Sequence, residues 1–384
     1  MNGAAIPLGK IAGIRIRAHT SWLVALFLLT ASLSVEFGRS TGRAAPAVAF
    51  VTALALFASV VAHELGHSLV ARARGVGVSS ITLFIFGGIA RLESEPRRAR
   101  DTIAIAIAGP LVSVAIGVAA FGLAGSGVLP ATVGEPLAWL GRVNLGLAVF
   151  NLLPGLPLDG GQVLQGVLWA WSGDRDRATL GAARAGRAIG WTFIVLGGAR
   201  AVLGSVFDGL WVGFIGWFLL STARSYAESV RTRAAVAGAS ISDAMVARFP
   251  SVAATTSLDD YVRGIVASNG RRAHVVLRDG GIAGVVTLER VLQVPRHAWA
   301  ATAVGDVARG VDAMPVLDAR TTLFDALTSI GDAPFAFVTD GTSILGVVDR
   351  DHLAAVVGVR VELAASAALP AQGRSASRQT AAWT

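Results

Sequence analysis

Val61-Ala62-His63-Glu64-Leu65-Gly66-His67-Ser68-Leu69 is the stretch on which the reading of this 384-residue chain turns. It contains His-Glu-x-x-His inside an apolar run that extends from about Pro46 to Arg72, long enough to cross a bilayer. On a helix His63 and His67 leave the same face one turn apart. Two imidazole nitrogens at that spacing can hold one Zn²⁺. Glu64, on a neighbouring face, is placed to take a proton from a metal-bound water. Short motifs recur by chance, and a buried His is often a satisfied core residue. Yet the chain has only six His, two of them here at ligand spacing, and ionisable groups inside a span are expensive and mark function. The run is therefore a metal-binding transmembrane helix, with Glu64 as general base.

Composition agrees with a membrane setting. Hydrophobic residues make up 53% and charged residues 15%, against about 25% charged in ordinary soluble proteins. The deficit lies in the first 230 residues, so the chain reads as an integral membrane domain, 1–230, with a soluble appendage. The net charge of +8 comes from Arg residues beside apolar runs, a topology signal. No interleaved aromatic and basic platform points to nucleic acid. The absence of Cys excludes disulfides and cysteine catalysis. Met1 to Thr20 lacks the continuous apolar core and the cleavage site of a signal peptide.

Working outward, the patterning predicts about six transmembrane helices: Thr20 to Phe37, Pro46 to Arg72, Thr102 to Gly122, Pro136 to Leu156, Ala188 to Leu203 and Leu210 to Ala223. Lys10 to Arg17 alternates apolar and basic residues and is predicted as one short strand. Gly75 to Glu93 is too short and glycine-broken for a span; its β-branched and aromatic residues around Gly87-Gly88 predict a membrane-associated β-hairpin. Strand edges do not face lipid, so the hairpin lies against protein or a wet cavity, where it is either a plain structural element or a dock for an extended peptide. With the N-terminus in the cytoplasm, most Arg-rich loops fall inside, among them Arg97/Arg98/Arg100 and Arg175/Arg177, the latter at the start of a basic stretch from Arg175 to Arg187. Arg39 and Arg43 are the exceptions.

The fourth span ends in Asn151-Leu152-Leu153-Pro154-Gly155-Leu156-Pro157-Leu158-Asp159-Gly160-Gly161. The prolines end the helix and leave Asp159 on an unwound segment. Glu64 and Asp159 are the only acids well inside apolar stretches. Asp159 is read as a third metal ligand, with water in the fourth position, or else as a cap of a short helix, Gly161 to Trp171.

Past Arg233 the chain repeats itself. Thr256-Ser257-Leu258-Asp259-Asp260 resembles Thr321-Thr322-Leu323-Phe324-Asp325, Gly284-Val285-Val286 resembles Gly346-Val347-Val348, and Asp243 has a counterpart in Asp306, an offset of about 62 to 65 residues. The halves run from 240 to 300 and from 301 to 358, each read as strand, helix, two strands, helix. The Ala-, Ser- and Arg-rich tail, 364–384, is expected to be disordered.

Residues 1 to 230 resemble the site-2 protease family of intramembrane zinc metalloproteases, on the strength of His63-Glu64-Leu65-Gly66-His67, Gly87-Gly88 and Asn151 to Gly161 in this order. The resemblance implies an endopeptidase that cleaves transmembrane segments of membrane-bound regulators, such as anti-sigma factors. It implies one Zn²⁺ held by His63, His67 and Asp159, with Glu64 as general base. Asn151 matches a family Asn near the active site, and Asn144 lies about two turns earlier; both are candidate substrate contacts, together with Gly87 and Gly88. The tandem half resembles cystathionine-β-synthase-type (CBS) domains, which often bind adenine nucleotides through Gly-x-x-Thr-x-x-Asp. The first repeat has Gly284 and Thr287 but Arg290 at the Asp place; the second has Gly346, then Asp349 and His352. These departures weigh against adenine-nucleotide binding and leave homodimerisation or control of substrate access as roles for the pair. The expected product is a multi-pass cell-membrane protein with cytoplasmic CBS domains, partnered by a transmembrane protein substrate and not by nucleic acid. The rival reading is a CBS-gated transporter or channel with a structural metal site.

Overall fold

The chain opens not with one strand but with two, β1 (Ala5–Ile11) and β2 (Ile14–His19), paired antiparallel around an Ala12–Gly13 turn. The computed structural model describes residues 5–84, 87–245, 250–269, 273–331 and 333–367. The alternation from Lys10 to Arg17 therefore runs across a hairpin. Gly13 is where it breaks, at φ 78°, which glycine adopts without steric cost. Helices α1 (Ser21–Glu36) and α2 (Gly38–Thr41) follow, then α3 (Ala45–Ala73), with Pro46 in its first turn where a missing N–H costs nothing. Strands β3 (Val78–Phe84) and β4 (Gly87–Leu92) pair antiparallel, and β2 runs parallel to β3. The result is one four-stranded sheet in the order β1-β2-β3-β4. Its inner face places Ile14, Ile16 and Ile81 in a core shared with Ala71, Val61 and Leu65 of α3.

Five more helices complete this unit: α4 (Ala99–Ala124), α5 (Ala131–Asn151), α6 (Asp159–Ser172), α7 (Arg175–Leu203) and α8 (Val206–Ala235). Two of them correct the patterning. The expected loop at Arg175/Arg177, and the basic stretch that follows it to Arg187, form the first half of α7, whose N-cap Asp174 accepts a bond from the Arg177 amide at 3.0 Å. The short helix after Pro157 starts at Asp159, two residues earlier than expected. Gly38–Ala73, Ala99–Ala124 and Val206–Ala235 are long and apolar enough to cross a membrane, and Ser21–Glu36 is a shorter apolar helix. Helices α7 and α8 approach through glycine: a Cβ at Gly190 would lie 2.9 Å from the Gly216 carbonyl.

Met1–Val230 and Arg231–Thr384 are separate compact units. In the second, β5 (Ser251–Ala253) runs parallel to β6 (Ala273–Arg278), which is antiparallel to β7 (Gly281–Thr287). The same pattern recurs in β8 (Val316–Asp318), β9 (Phe335–Thr339) and β10 (Ile344–Asp349). The inner faces of the two sheets share a core of Val275, Val285, Phe337 and Val347. The segments that lead into each repeat are exchanged. Ile241 and Ala244 pack with Leu323 and Val338 of the second repeat, and Ser240 bridges Thr322. Trp299 and Val304 pack with Leu258 and Val276 of the first, and Ala303 bridges Ser257. Residues 364–367 close the helix Arg350–Ala367 rather than begin a tail; the remainder of that predicted tail, 368–384, lies outside the described residues.

Candidate metal centre

Helix α3 presents His63 and His67 one turn apart, and α4 supports both rings from behind. The His67 Nδ1 lies 2.7 Å from the Ile105 carbonyl oxygen. A carbonyl only accepts, so Nδ1 carries the hydrogen, and in the neutral ring the lone pair sits on Nε2. His63 Nδ1 lies 2.9 Å from the Ser113 hydroxyl, deep in the core. Ile105, Gly109 and Ser113 are spaced by four and line one face of α4. At the middle position a side chain is impossible: a Cβ on Gly109 would run into both His Nε2 atoms. Gly66 admits the same close approach from α3, where a Cβ would meet Val112 and Ala108.

Asp159 arrives from the other end of the sequence. Helix α5 ends at Asn151, and turns through residues 152–158 return the chain to α6. This return packs against α7 with no room for side chains: Leu156 N–H donates to the Ala182 carbonyl at 3.2 Å, and a Cβ on Gly186 would strike the Leu156 backbone. Asp159 does not cap α6, whose N-cap is Leu158 with no side-chain bond. Its Oδ2 lies 3.3 Å from His63 Nε2 and 3.4 Å from His67 Nε2, and the two Nε2 atoms are 3.1 Å apart. That Oδ2 is buried and makes no hydrogen bond.

The donor set fits zinc. Tetrahedral ligands at about 2.0–2.1 Å from one ion lie roughly 3.3–3.4 Å from each other, close to the three separations seen. Among the described residues, His63, His67 and Asp159 form the group able to hold a metal ion. Glu64 stands beside it with the β4 backbone alongside: a Cβ on Gly88 would collide with the Glu64 side chain. Gly87 opens β4 next to Gly88. The two asparagines are placed differently. Asn144 is fully buried in α5, donates to the Leu140 carbonyl at 2.9 Å and leaves its Oδ1 without a partner. Asn151 is the half-buried last residue of α5. Among the described residues neither hydrogen-bonds to the three donors. Ser113 and the Ile105 carbonyl escaped sequence reading, because a serine in an apolar helix and a backbone oxygen carry no distinguishing signal.

The profile of Peptidase family M50 matches residues 51–129 and 124–193, stretches that include His63, Glu64, His67 and Asp159. The "Putative zinc metalloprotease Rip3" of Mycobacterium tuberculosis is 38% identical over 368 residues, 92% of this chain and 93% of Rip3. The chain belongs to peptidase family M50. This M50 member also resembles the solved Site-2 Protease from Methanocaldococcus jannaschii, at 29% identity and a TM-score of 0.41, over 58% of this chain and 95% of that one. Over 34% of this M50 chain and 95% of the other, the structure of the CBS domain of a bacterial CNNM/CorC family Mg²⁺ transporter in complex with ATP matches at 12% identity and a TM-score of 0.30.

Proposed function

We propose that this M50 peptidase is an intramembrane zinc endopeptidase that cuts transmembrane segments of membrane-bound regulators such as anti-sigma factors. The observation that carries the reading is the convergence of three donor atoms within 3.4 Å of one another, beside a glutamate. His63 and His67 hold the metal through Nε2 and Asp159 through Oδ2, one ion per chain. When bound, zinc supplies Lewis-acid chemistry, drawing charge from the oxygens that react. Ser113 and the Ile105 carbonyl hold the two rings in place. Glu64 takes the proton of the attacking water and returns it to the departing amine, a role worth about 10²- to 10⁴-fold in rate.

A helical substrate hides its carbonyls in its own hydrogen bonds and must unwind before cleavage. Strand β4 is an edge of its sheet and runs past Glu64, so an unwound segment can pair with it over Gly87 and Gly88. Asn144 and Asn151 supply polar contacts along the same path. The chain is a multi-pass cell-membrane protein with six spans, its N-terminus and CBS pair cytoplasmic and the β3–β4 hairpin at membrane depth. The repeat pair adjusts substrate access and can join two copies. Arg290, in place of a ribose-binding Asp, donates through Nε to the Val307 carbonyl at 2.7 Å, which counts against an adenine nucleotide there. The test is purified protein, wild type and Glu64→Gln, incubated with a membrane-spanning substrate, with zinc measured in both. Cleavage by both forms alike, or zinc absent from both, refutes the proposal.

A further inference from the structure

Strand β4 is different on its two faces. Gly88 and Ala90 face inward, Gly88 against the Glu64 side chain and Ala90 against the core that holds Ile16 and Ile81. Ile89 and Arg91 alternate with them, face outward and are exposed. Arg91 ends a row of directly paired residues, Lys10, Arg15, Ser80 and Arg91, that crosses all four strands. Paired side chains leave the same face, so three cations stand in line on the outer side of the sheet. The four strands contain no Asp or Glu. Glu93, the acid nearest to Arg91 along the chain, has its carboxylate against Gly77. Among the described residues none of the three cations joins a salt bridge. Like charges directly opposite one another destabilise a sheet, so Lys10 facing Arg15 is a repulsion that folding alone gives no reason to keep.

The row lies at the end of α3. The Arg72 guanidinium, in the last turn of that helix, donates to the Ala12 carbonyl in the β1–β2 turn, and Lys10–Arg15 is the second residue pair from that turn. Strand β4 therefore runs from Glu64 toward the end of a helix long enough to span the bilayer, where a charged side chain costs far less than at the bilayer centre. We propose that Arg91 is a specificity-determining residue, which selects an acidic side chain in the substrate three residues from the one that pairs with Gly88. The inference rests on β4 being the edge on which the unwound substrate docks. A segment added there becomes a fifth strand and continues the row. Its residue opposite Arg91 leaves the outer face, with its Cβ about 4.5–5.5 Å from that of Arg91. Its residue opposite Gly88 leaves the inner face beside Glu64, about 10 Å away along the strand. The pleat makes the match specific for position. A one-residue shift turns the carboxylate to the inner face, away from the cations. A two-residue shift toward Gly88 sets it against Ile89, which is 59% exposed.

The experiment uses the full-length protein in nanodiscs with membrane-spanning model peptides of Leu and Ala, each with one Gly-Gly pair to ease unwinding. A single Glu is walked residue by residue toward one end of the peptide, and then toward the other. The cut bond is located by mass spectrometry and kcat/KM is measured for it. For a given bond, cleavage by wild type should be fastest with Glu at one fixed spacing, by about 2- to 5-fold over Ala, and slower by a similar factor with Lys in its place. Neighbouring positions should show no gain. Arg91→Gln should abolish the preference and Arg91→Glu should invert it in favour of Lys, with unchanged zinc content reporting an intact fold. Rates independent of the spacing of Glu from the cut, which need no variant, overturn the proposal and leave the endopeptidase reading standing. A preference that survives Arg91→Gln also overturns it. If zinc-loaded wild type cuts none of the peptides, the endopeptidase reading fails and this inference falls with it.

Discussion

His63 and His274 are both buried imidazoles, one in each unit, and they differ in what their surroundings leave open. In the repeat unit His274 Nδ1 lies 2.8 Å from the Tyr261 hydroxyl, and the rings meet edge to face at 5.3 Å. Both side chains are buried, Tyr261 within a hydrophobic core. In the membrane unit, Ser113 and Ile105 occupy the Nδ1 atoms of His63 and His67, which turns both Nε2 atoms toward the carboxylate of Asp159. Burial of a histidine is thus no mark of chemistry. What separates the two places is convergence: three electron-pair donors aimed at one point, with a glycine at position 109 keeping that point clear. Repulsion among such donors is costly unless a cation joins them.

The most severe way to break this contrast is to remove a donor on each side. His67→Ala should abolish zinc binding and proteolysis, whereas His274→Ala should leave zinc content at the wild-type level; metal analysis of the two purified variants decides. Glu64→Gln should retain zinc yet lower cleavage by about 10²- to 10⁴-fold. Near-normal turnover in that variant would show that another group is the base.

A smaller effect sharpens the role of α4. Ser113→Ala removes the hydroxyl behind His63 and should weaken zinc binding by roughly 10- to 100-fold, measured by competition with a chelator, while Ser113→Thr should restore most of it. If alanine binds zinc as tightly as serine, the hydroxyl is packing and not support.

Tyr261→Phe tests this contact. It removes the buried hydroxyl that lies 2.8 Å from His274 Nδ1 and should cost about 1–3 kcal/mol in the repeat unit, with no change in zinc. Burial pushes the Tyr261 hydroxyl from its ordinary 10.0 up to about 12. The folded unit therefore keeps a proton that the unfolded chain releases. That contribution is complete below pH 10 and is lost as the pH rises through about 12. Alkaline unfolding followed by hydrogen exchange should show this loss in wild type, and its persistence in Tyr261→Phe would assign it to another group. The mildest change is expected from truncation after Ala235, which should keep zinc and some proteolysis while altering rate or substrate choice. Identical rates on every substrate would remove the repeat pair from control of the enzyme.

Legibility followed the range of the interactions. The spacing of His63 and His67, the length of the apolar runs, the order of the two motifs and the offset between the repeats are all properties of neighbouring or periodic residues, and the sequence alone determined them through helix geometry and hydrophobic patterning. Boundaries were softer: a hairpin turn hid inside the Lys10–Arg17 alternation, and α7 absorbed a basic stretch because helices tolerate Arg on an open face. Only the tertiary structure decided whether Asp159 caps a helix or faces the imidazoles, since 92 residues separate it from His67 by numbering and both uses suit the same local sequence. The same holds for Ser113 behind His63, for the exchange of lead-in segments between the repeats, and for the joining of β2 to β3 that lines up Lys10, Arg15 and Arg91. Each is a pairing between distant segments whose partner is selected by packing, and packing is a property of the folded whole.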